Sequence, residues 1–115
     1  MAGDEPQDDP PGTTPSARFR TEADGEVVVH VAGELDAQSG AQLRTLLSDA
    51  FEAKPVAVAV DFGELTFVDS VGLSLLVAAH QRGEAEGIPF HIRSLPDSCR
   101  RVFEITRLDQ VLDLP

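Results

Sequence analysis

The sequence predicts a single α/β domain with a mixed β-sheet, and three features of its 115 residues indicate this class. Apolar, Val-rich stretches alternate with segments whose leucines recur at helical spacing. An Asp24-Gly25 pair near the start separates two strand-like segments, which is typical of a β-hairpin. With 42% hydrophobic residues, the chain is long enough for one buried core and too short for two. We therefore expect an N-terminal hairpin followed by βαβ crossovers, with the helices packed against the sheet.

The first half of the chain supplies the hairpin and one helix. A short alternating segment begins near Arg18, and a Val-rich second strand is expected over residues 26–32. The segment SGAQLRTLLSDAFEA, residues 39–53, has the apolar spacing of an amphipathic helix. Ser39 and Gln42 have the spacing of a capping box, so we expect this helix to begin there.

The second half repeats strand and helix. The predicted elements are a strand over 56–62, a helix over 70–84, a strand over 89–94, a helix over 95–108 and a short last strand over 110–114. The strand over 56–62 is uniformly apolar, which is typical of an interior strand covered on both faces. The helix over 70–84 is apolar nearly all round in its first half, so we expect it to lie deep against the sheet. Ser94 and Pro96 are start signals for the last helix.

Charge restricts the partners that the chain can bind. It carries 20 acidic and 9 basic residues, a formal net charge of -11, and neither Tyr nor Trp. Such a surface repels nucleic-acid phosphates and anionic lipid headgroups and lacks these base-stacking side chains. We therefore expect no nucleic-acid and no membrane binding, and a basic protein partner fits better.

Residues 1–17 differ in composition from the rest of the chain. They contain four prolines and four acidic residues with almost nothing to bury, so they are predicted to form a disordered acidic tail. None of the nine basic residues lies there, which leaves residues 18–115 with 16 acidic against 9 basic residues, or -7. The domain expected over 18–115 is therefore acidic in its own right.

The chain is expected to be cytoplasmic and monomeric, with a dimer as the alternative. Its N-terminus lacks the basic and then apolar pattern of a signal peptide, and no apolar run approaches a membrane span of about 20 residues. Cys99 is the single cysteine, so no intrachain disulfide can form. Its neighbours Arg100 and Arg101 would favour a reactive thiolate, but a buried, inert thiol is the interpretation that we favour.

The apolar stretch LTFVDSVGLSLLVAAH, residues 65–80, is interrupted by Asp69 and Ser70. Either residue could cap the helix predicted to begin here by accepting a backbone N–H, which is worth about 1 kcal/mol. The start of a helix also favours an anion, so a phosphate on Ser70 would be tolerated there. These residues alone leave a structural and a regulatory interpretation open.

Catalytic residues, metal ions and cofactors are not expected. The sequence around Ser70 is not a G-x-S-x-G elbow, and His80 lies about 15 Å further along the same predicted helix. His30 and His91 are lone histidines in strand segments, so a hydrolytic triad is not favoured. Glycine-rich phosphate loops are absent. A magnesium site would have to use scattered acidic residues, namely Glu34, Asp36, Asp61 and Asp69. We expect chemistry to be done to this protein rather than by it.

The chain resembles the STAS-domain family of bacterial anti-sigma factor antagonists in two motifs that occur in the same order. These are GELDAQSGAQL, residues 33–43, and VDFGELTFVDSVGLSLL, residues 60–76, followed by RVFEITRLDQVLDL at residues 101–114. The resemblance covers about residues 18–114 and leaves the tail outside. It implies a single STAS-like domain.

The resemblance also implies a partner-switching role in transcription. In that family the unphosphorylated protein binds an anti-sigma factor that is also a serine kinase, and this binding frees a sigma factor. The kinase phosphorylates the serine that follows the motif aspartate, and a PP2C-type phosphatase removes the phosphate. Such a protein is regulatory rather than enzymatic.

Carried over to this chain, the resemblance implies that Ser70 is the phosphoacceptor. The expected partner-binding residues are Gly33, Glu34, Leu35, Asp36, Asp69, Ser70, Gly72 and Leu73. A phosphate adds about -1.5 to -2 charges, for which a tightly fitted interface centred on a neutral hydroxyl has no space. We therefore expect phosphorylation to release the partner.

Two departures from the family pattern bear on this carry-over. Val71 stands where the family often has another hydroxyl or a small residue, and the chain stops at Pro115, where many relatives continue into another helix. The second departure could leave the last edge of the sheet open to a partner or a second copy. Two alternative functions remain: an interaction subunit of another assembly, such as a stress-signalling complex or a lipid-transport accessory, and a small-ligand-binding module.

Overall fold

A computed structural model of the chain describes residues 17–21, by their backbone, and residues 24–115. The elements in chain order are β1 (Ala17–Thr21), β2 (Glu26–Leu35), α1 (Ala37–Glu52), β3 (Ala57–Val68), α2 (Ser70–Glu86), β4 (Phe90–Ser94) and α3 (Asp97–Ile105), and a 3₁₀ turn over Leu108–Gln110 follows. The tail predicted over residues 1–17 lies outside the described residues, except for Ala17, which begins β1. None of the helices in the described part is long and apolar enough to cross a membrane.

The four strands form one mixed sheet in the order β1-β2-β3-β4. β1 runs antiparallel to β2, whereas β2, β3 and β4 are parallel to one another, with α1 and α2 as the two crossover helices. Because β2 and β3 are parallel neighbours, their C-terminal ends lie side by side. They mark the edge of the sheet at which the parallel strands end, which is distinct from the edge strands β1 and β4. The α/β class, the mixed sheet and the crossovers are confirmed.

One hydrophobic core lies between the sheet and the helices. The sheet supplies alternate residues of its strands, among them Val27, Val29, Val31, Val58, Val60, Phe62, Phe90 and Ile92. The helices supply Leu43, Leu47, Phe51, Leu76 and Phe103. In β3 the adjacent residues Val58, Ala59 and Val60 are all fully buried, which confirms the prediction of an interior strand covered on both faces.

The start of α1 differs from the prediction. The capping box expected from Ser39 and Gln42 is wrong, because the N-cap is Asp36 and the helix begins at Ala37. Ser39 is instead the third helical residue, and its hydroxyl oxygen accepts a hydrogen bond from the backbone N–H of Asp36. Asp36 and Ser39 have the same three-residue spacing as Ser39 and Gln42. The first pair forms the cap because β2 continues as far as Leu35, directly before Asp36.

The C-terminal part of the fold also differs in two places. Ser94 ends β4 rather than starting α3, whose N-cap is Pro96. The strand predicted over 110–114 does not form, since a 3₁₀ turn ends at Gln110 and no strand follows it. This segment still runs beside the edge strand β4, because the backbone N–H of Ile92 donates to the carbonyl oxygen of Asp113 at 2.9 Å. The free side of the edge strand β4 is therefore partly covered by the C-terminal segment.

Candidate functional site

The two sequence motifs lie side by side at the edge of the sheet where β2 and β3 end. Leu35 and Val68, the last residues of these strands, are register partners. The backbone N–H of Asp69 donates a hydrogen bond of 3.1 Å to the carbonyl oxygen of Leu35. An aspartate and then a helix follow each strand, so α1 and α2 both begin at this edge. The fold thus brings together motifs that are separate in the sequence.

Asp36 fixes the first motif by capping α1. Its Oδ1 accepts hydrogen bonds from the backbone N–H groups of Gln38 and Ser39, each 3.1 Å long. The hydroxyl of buried Ser39 donates to the carbonyl oxygen of Glu34 at 2.8 Å, which ties the end of β2 to the first turn of the helix. The hydrogen bond from the Ser39 backbone N–H is the main reason why the pKa of the Asp36 carboxyl lies below its ordinary value.

Asp69 fixes the second motif in the same way and leaves the Ser70 hydroxyl free. The Oδ1 of Asp69 accepts from the backbone N–H groups of Val71 and Gly72, at 3.0 and 3.2 Å. Ser70 is the first residue of α2 and is exposed, and its hydroxyl has no hydrogen-bond partner in the described part of the chain. The cap predicted for this position therefore belongs to Asp69 and not to Ser70.

Gly72 packs tightly against Leu35 of the first motif. A Cβ atom there would lie 2.7 Å from Cγ of Leu35 and 2.9 Å from Cγ2 of Val68, well inside the usual carbon–carbon contact distance of about 3.5–4.0 Å. The glycine of the second motif therefore makes room for the buried leucine of the first. Gly33 has a φ of 84°, next to an irregularity in the pairing of β2 with β3, and this left-handed conformation favours glycine.

The predicted site residues differ in what they can offer a partner. Leu35, Gly72 and Leu73 are buried, Gly33, Asp36 and Asp69 are partly buried, and Glu34 and Ser70 are exposed. Two apolar side chains outside the predicted set are exposed at the same edge: Phe67, at 49%, and Val71, at 37%. Phe67 is the register partner of Glu34, so both motifs contribute exposed side chains near Ser70.

A groove of about 400 Å³ begins at Ser70 and runs along α2. Its opposite wall carries Thr106, after the end of α3, and Leu108, the first residue of the 3₁₀ turn. These two residues lie far from Ser70 along the chain, and no periodicity in the sequence links them to α2. Only the packing of α3 against β3 brings them close.

The three histidines and the cysteine have partners other than Ser70. Each histidine has a carboxylate of its own, with nitrogen–oxygen distances of 3.4 Å for His30–Asp61, 3.4 Å for His80–Glu84 and 3.1 Å for His91–Glu26. Cys99 is 3% exposed and its Sγ lies 3.8 Å from the carbonyl oxygen of Leu65, which confirms a buried thiol. In residues 17–21 and 24–115, no three His, Cys, Asp or Glu side chains are grouped so that they could hold a metal ion.

Comparison with known proteins decides the family. The family model described as "Mlab, STAS domain" matches residues 19–114. The chain belongs to the STAS-domain family. The resemblance inferred from the motifs at residues 33–43 and 60–76 is thereby confirmed.

Several relatives of this STAS domain are named as anti-sigma factor antagonists. An anti-sigma-B factor antagonist of Listeria monocytogenes is 27% identical over 86 residues, or 75% of each chain. An anti-sigma factor antagonist from Mycobacterium paratuberculosis has a crystal structure that superposes with a TM-score of 0.77 at 27% identity, covering 86% of this chain and 83% of that one. SpoIIAA of Bacillus, solved in its phosphorylated form, has the same fold, with a TM-score of 0.68 at 24% identity over 87% of this chain and 91% of that one. These relatives are regulatory binding proteins, which confirms that this STAS protein belongs with them rather than with enzymes.

Proposed function

We propose that this STAS protein is an anti-sigma factor antagonist and that phosphorylation of Ser70 switches its binding off. The names of its relatives support the antagonist role. The observation that carries the switch is the Ser70 hydroxyl, which is exposed, free of hydrogen bonds to other described residues and placed where the two motifs meet. A kinase could reach this oxygen without opening the fold.

In the unphosphorylated state, the edge around Ser70 binds an anti-sigma factor that is also a serine kinase. Glu34 and Ser70 face that partner directly, because both side chains are exposed. Leu35, Gly72 and Leu73 act indirectly, since they are buried and hold the two strand ends and α2 in register. Occupying the anti-sigma factor frees its sigma factor to direct transcription.

The surroundings of Ser70 explain why its phosphorylation lowers the affinity for the partner. A phosphate adds about -1.5 to -2 charges at a point flanked by the carboxylate of Asp69 and by the exposed apolar side chains of Phe67 and Val71. None of the side chains that line the adjoining groove is charged, so none can pair with the phosphate. Burying an unpaired dianion against a partner is costly, so the complex weakens. A PP2C-type phosphatase would restore binding by removing the group.

The test compares substitutions of Ser70 with a matched substitution elsewhere. The partner is recovered with immobilised wild-type protein, identified by mass spectrometry, purified and titrated calorimetrically with wild type, Ser70→Ala and Ser70→Asp. We expect Ser70→Ala to bind like wild type and Ser70→Asp to bind at least about tenfold more weakly, which corresponds to about 1.4 kcal/mol. Ser98→Asp, which adds the same charge at an exposed serine in the first turn of α3, should bind like wild type.

Incubation of the same proteins with the partner and ATP locates the modification. We expect one phosphate, on Ser70, in wild type and none in Ser70→Ala. Full affinity of Ser70→Asp, or phosphate at another residue or at none, would reject the switch. Recovery of a subunit of a different assembly instead of an anti-sigma factor would reject the antagonist role.

A further inference from the structure

The groove beside Ser70 is uncharged although the protein is strongly acidic. It is lined by one face of α2, including Leu73, Val77 and Gln81, and across from it by Thr106 and Leu108. None of its lining side chains carries a charge, whereas the chain as a whole has a net charge of -11. Arg107, between the two residues of the far wall, is exposed and does not line the groove. The groove is therefore an uncharged surface on a protein that is acidic overall.

The dimensions of the groove fit an extended or helical segment of a protein. From Ser70 to Gln81 it follows α2 for about three turns, or about 16 Å. Apolar grooves of this kind bind segments that present side chains at regular spacing along one face. Its partly exposed apolar side chains, such as Val77 and Leu108, would contact such a segment, while Gln81 and Thr106 add polar groups without charge.

We infer that this groove seats an apolar, uncharged segment of the anti-sigma factor, so that apolar burial rather than charge attraction holds the bound partner there. The inference rests on the proposed function, because the occupant is the protein that must reach Ser70. The groove opens at Ser70 itself, so a partner that covers this serine lies at the mouth of the groove. A charged segment would leave its charge unpaired against the neutral lining and lose hydration without compensation.

The far wall of the groove allows a test that distinguishes apolar seating from electrostatic attraction. Thr106 is exposed, and its hydroxyl donates to the carbonyl oxygen of Val102, so its replacement disturbs only a local hydrogen bond. Thr106→Glu and Thr106→Lys introduce opposite charges at one position. If the groove seats an apolar segment, both should weaken binding of the purified anti-sigma factor by about tenfold, since each places an unpaired charge in the interface.

Thr45 provides the matched control. It is an exposed threonine on α1 whose hydroxyl also donates to the carbonyl oxygen four residues earlier, that of Ala41. Thr45→Glu and Thr45→Lys should bind like wild type, since Thr45 does not line the groove. The same pair of changes at Gln81, at the far end of the groove, repeats the test on α2 in case either Thr106 variant fails to fold.

The outcomes separate this inference from the proposed function. Weakening by both charges at Thr106 or Gln81 supports apolar seating, whereas tighter or unchanged binding with Glu and weaker binding with Lys would overturn it in favour of a basic segment. Unchanged binding with both charges would show that the groove is empty in the complex. Whatever these substitutions show, a loss of binding in Ser70→Asp would support the phosphorylation switch. Full binding by Ser70→Asp would reject the switch but would not change the conclusion about what the groove binds.

Discussion

Gly72 is the residue at which the packing of the two motifs can be tested most directly. Replacing it with alanine places a methyl group 2.7 Å from Cγ of Leu35, which overpacks the junction. Overpacking costs about 1–3 kcal/mol, more than the gain of up to about 1 kcal/mol from the higher helix propensity of alanine. We expect Gly72→Ala to lower the free energy of unfolding by about 1–2 kcal/mol in urea titrations.

Gly40→Ala on α1 is the control for this prediction. Its new methyl group would lie 3.0 Å from Cδ1 of Leu75, the far end of a flexible side chain, and 3.5 Å from Cγ1 of Val71, an ordinary contact distance. We therefore expect Gly40→Ala to be as stable as wild type or slightly more stable. If Gly72→Ala matched wild type as well, Leu35 would have to move easily, and the tight contact between the motifs would not be needed.

The cap of α1 should give the protein a specific acid sensitivity. In the folded state, the Ser39 backbone N–H lowers the pKa of Asp36 from its ordinary value of 3.8, so the ionised carboxylate stabilises the fold. This contribution is complete above that ordinary value and is lost as the pH falls through the lower folded pKa. We expect Asp36→Asn to be less stable than wild type above about pH 5, and the difference to shrink below about pH 4.

Urea unfolding of both proteins across this pH range measures the effect. Asp49→Asn, which removes an exposed carboxylate in the last turn of the same helix, is the comparison for the loss of one negative charge. It should not reproduce the difference shown by Asp36→Asn, because the N-cap of α1 is Asp36. A difference between wild type and Asp36→Asn that stayed constant down to the acid end would mean that the cap does not depend on ionisation.

Among the elements, the C-terminal segment stabilises the sheet edge without being a strand. Leu112 is 3% exposed and belongs to the core, while the next residue, Asp113, accepts the hydrogen bond from Ile92 in β4. Leu112→Ala should lower the free energy of unfolding by about 2–4 kcal/mol and speed exchange of the Ile92 amide hydrogen. Leu114→Ala, at a partly buried position, should have a smaller effect on both.

Hydrogen exchange followed by NMR tests this edge contact at a single residue. If the Ile92 amide exchanged at the rate of an open edge in wild type, the contact with Asp113 would not persist in solution. If Leu112→Ala lowered stability but left the relative protection of Ile92 unchanged, Leu112 would act only through the core.

The elements differ in how far the sequence could predict them. The helix at Ser70 was predicted at the correct residue, because an aspartate between an apolar strand and an apolar helix leaves little choice of start. The start of α1 was misplaced because two capping spacings overlap at Ser39, and only the tertiary pairing of β2 selects between them. Residues 110–114 were predicted as a strand, but the left-handed turn at Arg107 and the 3₁₀ turn after it redirect the chain.

The candidate site was predictable to a similar degree. Residues of both motifs were expected to bind the same partner, and the pairing of Leu35 with Val68 brings the two motifs together. The wall formed by Thr106 and Leu108 was not predictable, since it depends on how α3 packs and neither residue belongs to the motifs at residues 33–43 and 60–76. Local signals thus located the serine, and tertiary packing defined what surrounds it.

For the whole molecule, net charge should affect how fast partners meet rather than how tightly they hold. Ala17 pairs with Val31 and Thr21 with Val27, so the acidic N-terminal segment is attached at the end of β1 that points towards the end of β2. Replacing its four carboxylates, at Asp4, Glu5, Asp8 and Asp9, with amides changes the formal net charge from -11 to -7. We expect slower and less salt-dependent association with the anti-sigma factor and an unchanged dissociation rate.

Stopped-flow association at low salt and at about 150 mM salt measures this effect, since charges are screened beyond about 8 Å at the higher concentration. The matched control replaces four exposed acidic residues that neither belong to the motifs nor line the groove, Asp24, Asp49, Glu52 and Asp97, which gives the same net charge. Equal slowing in both proteins would mean that overall charge matters and the position of the segment does not. A faster dissociation of the N-terminal variant would contradict the prediction and place these carboxylates in the interface.

The cap made by Asp69 has a consequence for the lifetime of a modification at Ser70. Because its Oδ1 already accepts the N–H groups of Val71 and Gly72, those two donors of α2 are not available to hold a phosphoryl group. A phosphate on the exposed Ser70 would therefore project into water, where a phosphatase could take it without local unfolding. Asp69, the N-cap of α2, would thereby leave a phosphate on Ser70 open to removal. The dephosphorylated protein could then bind its partner again in the next cycle of signalling.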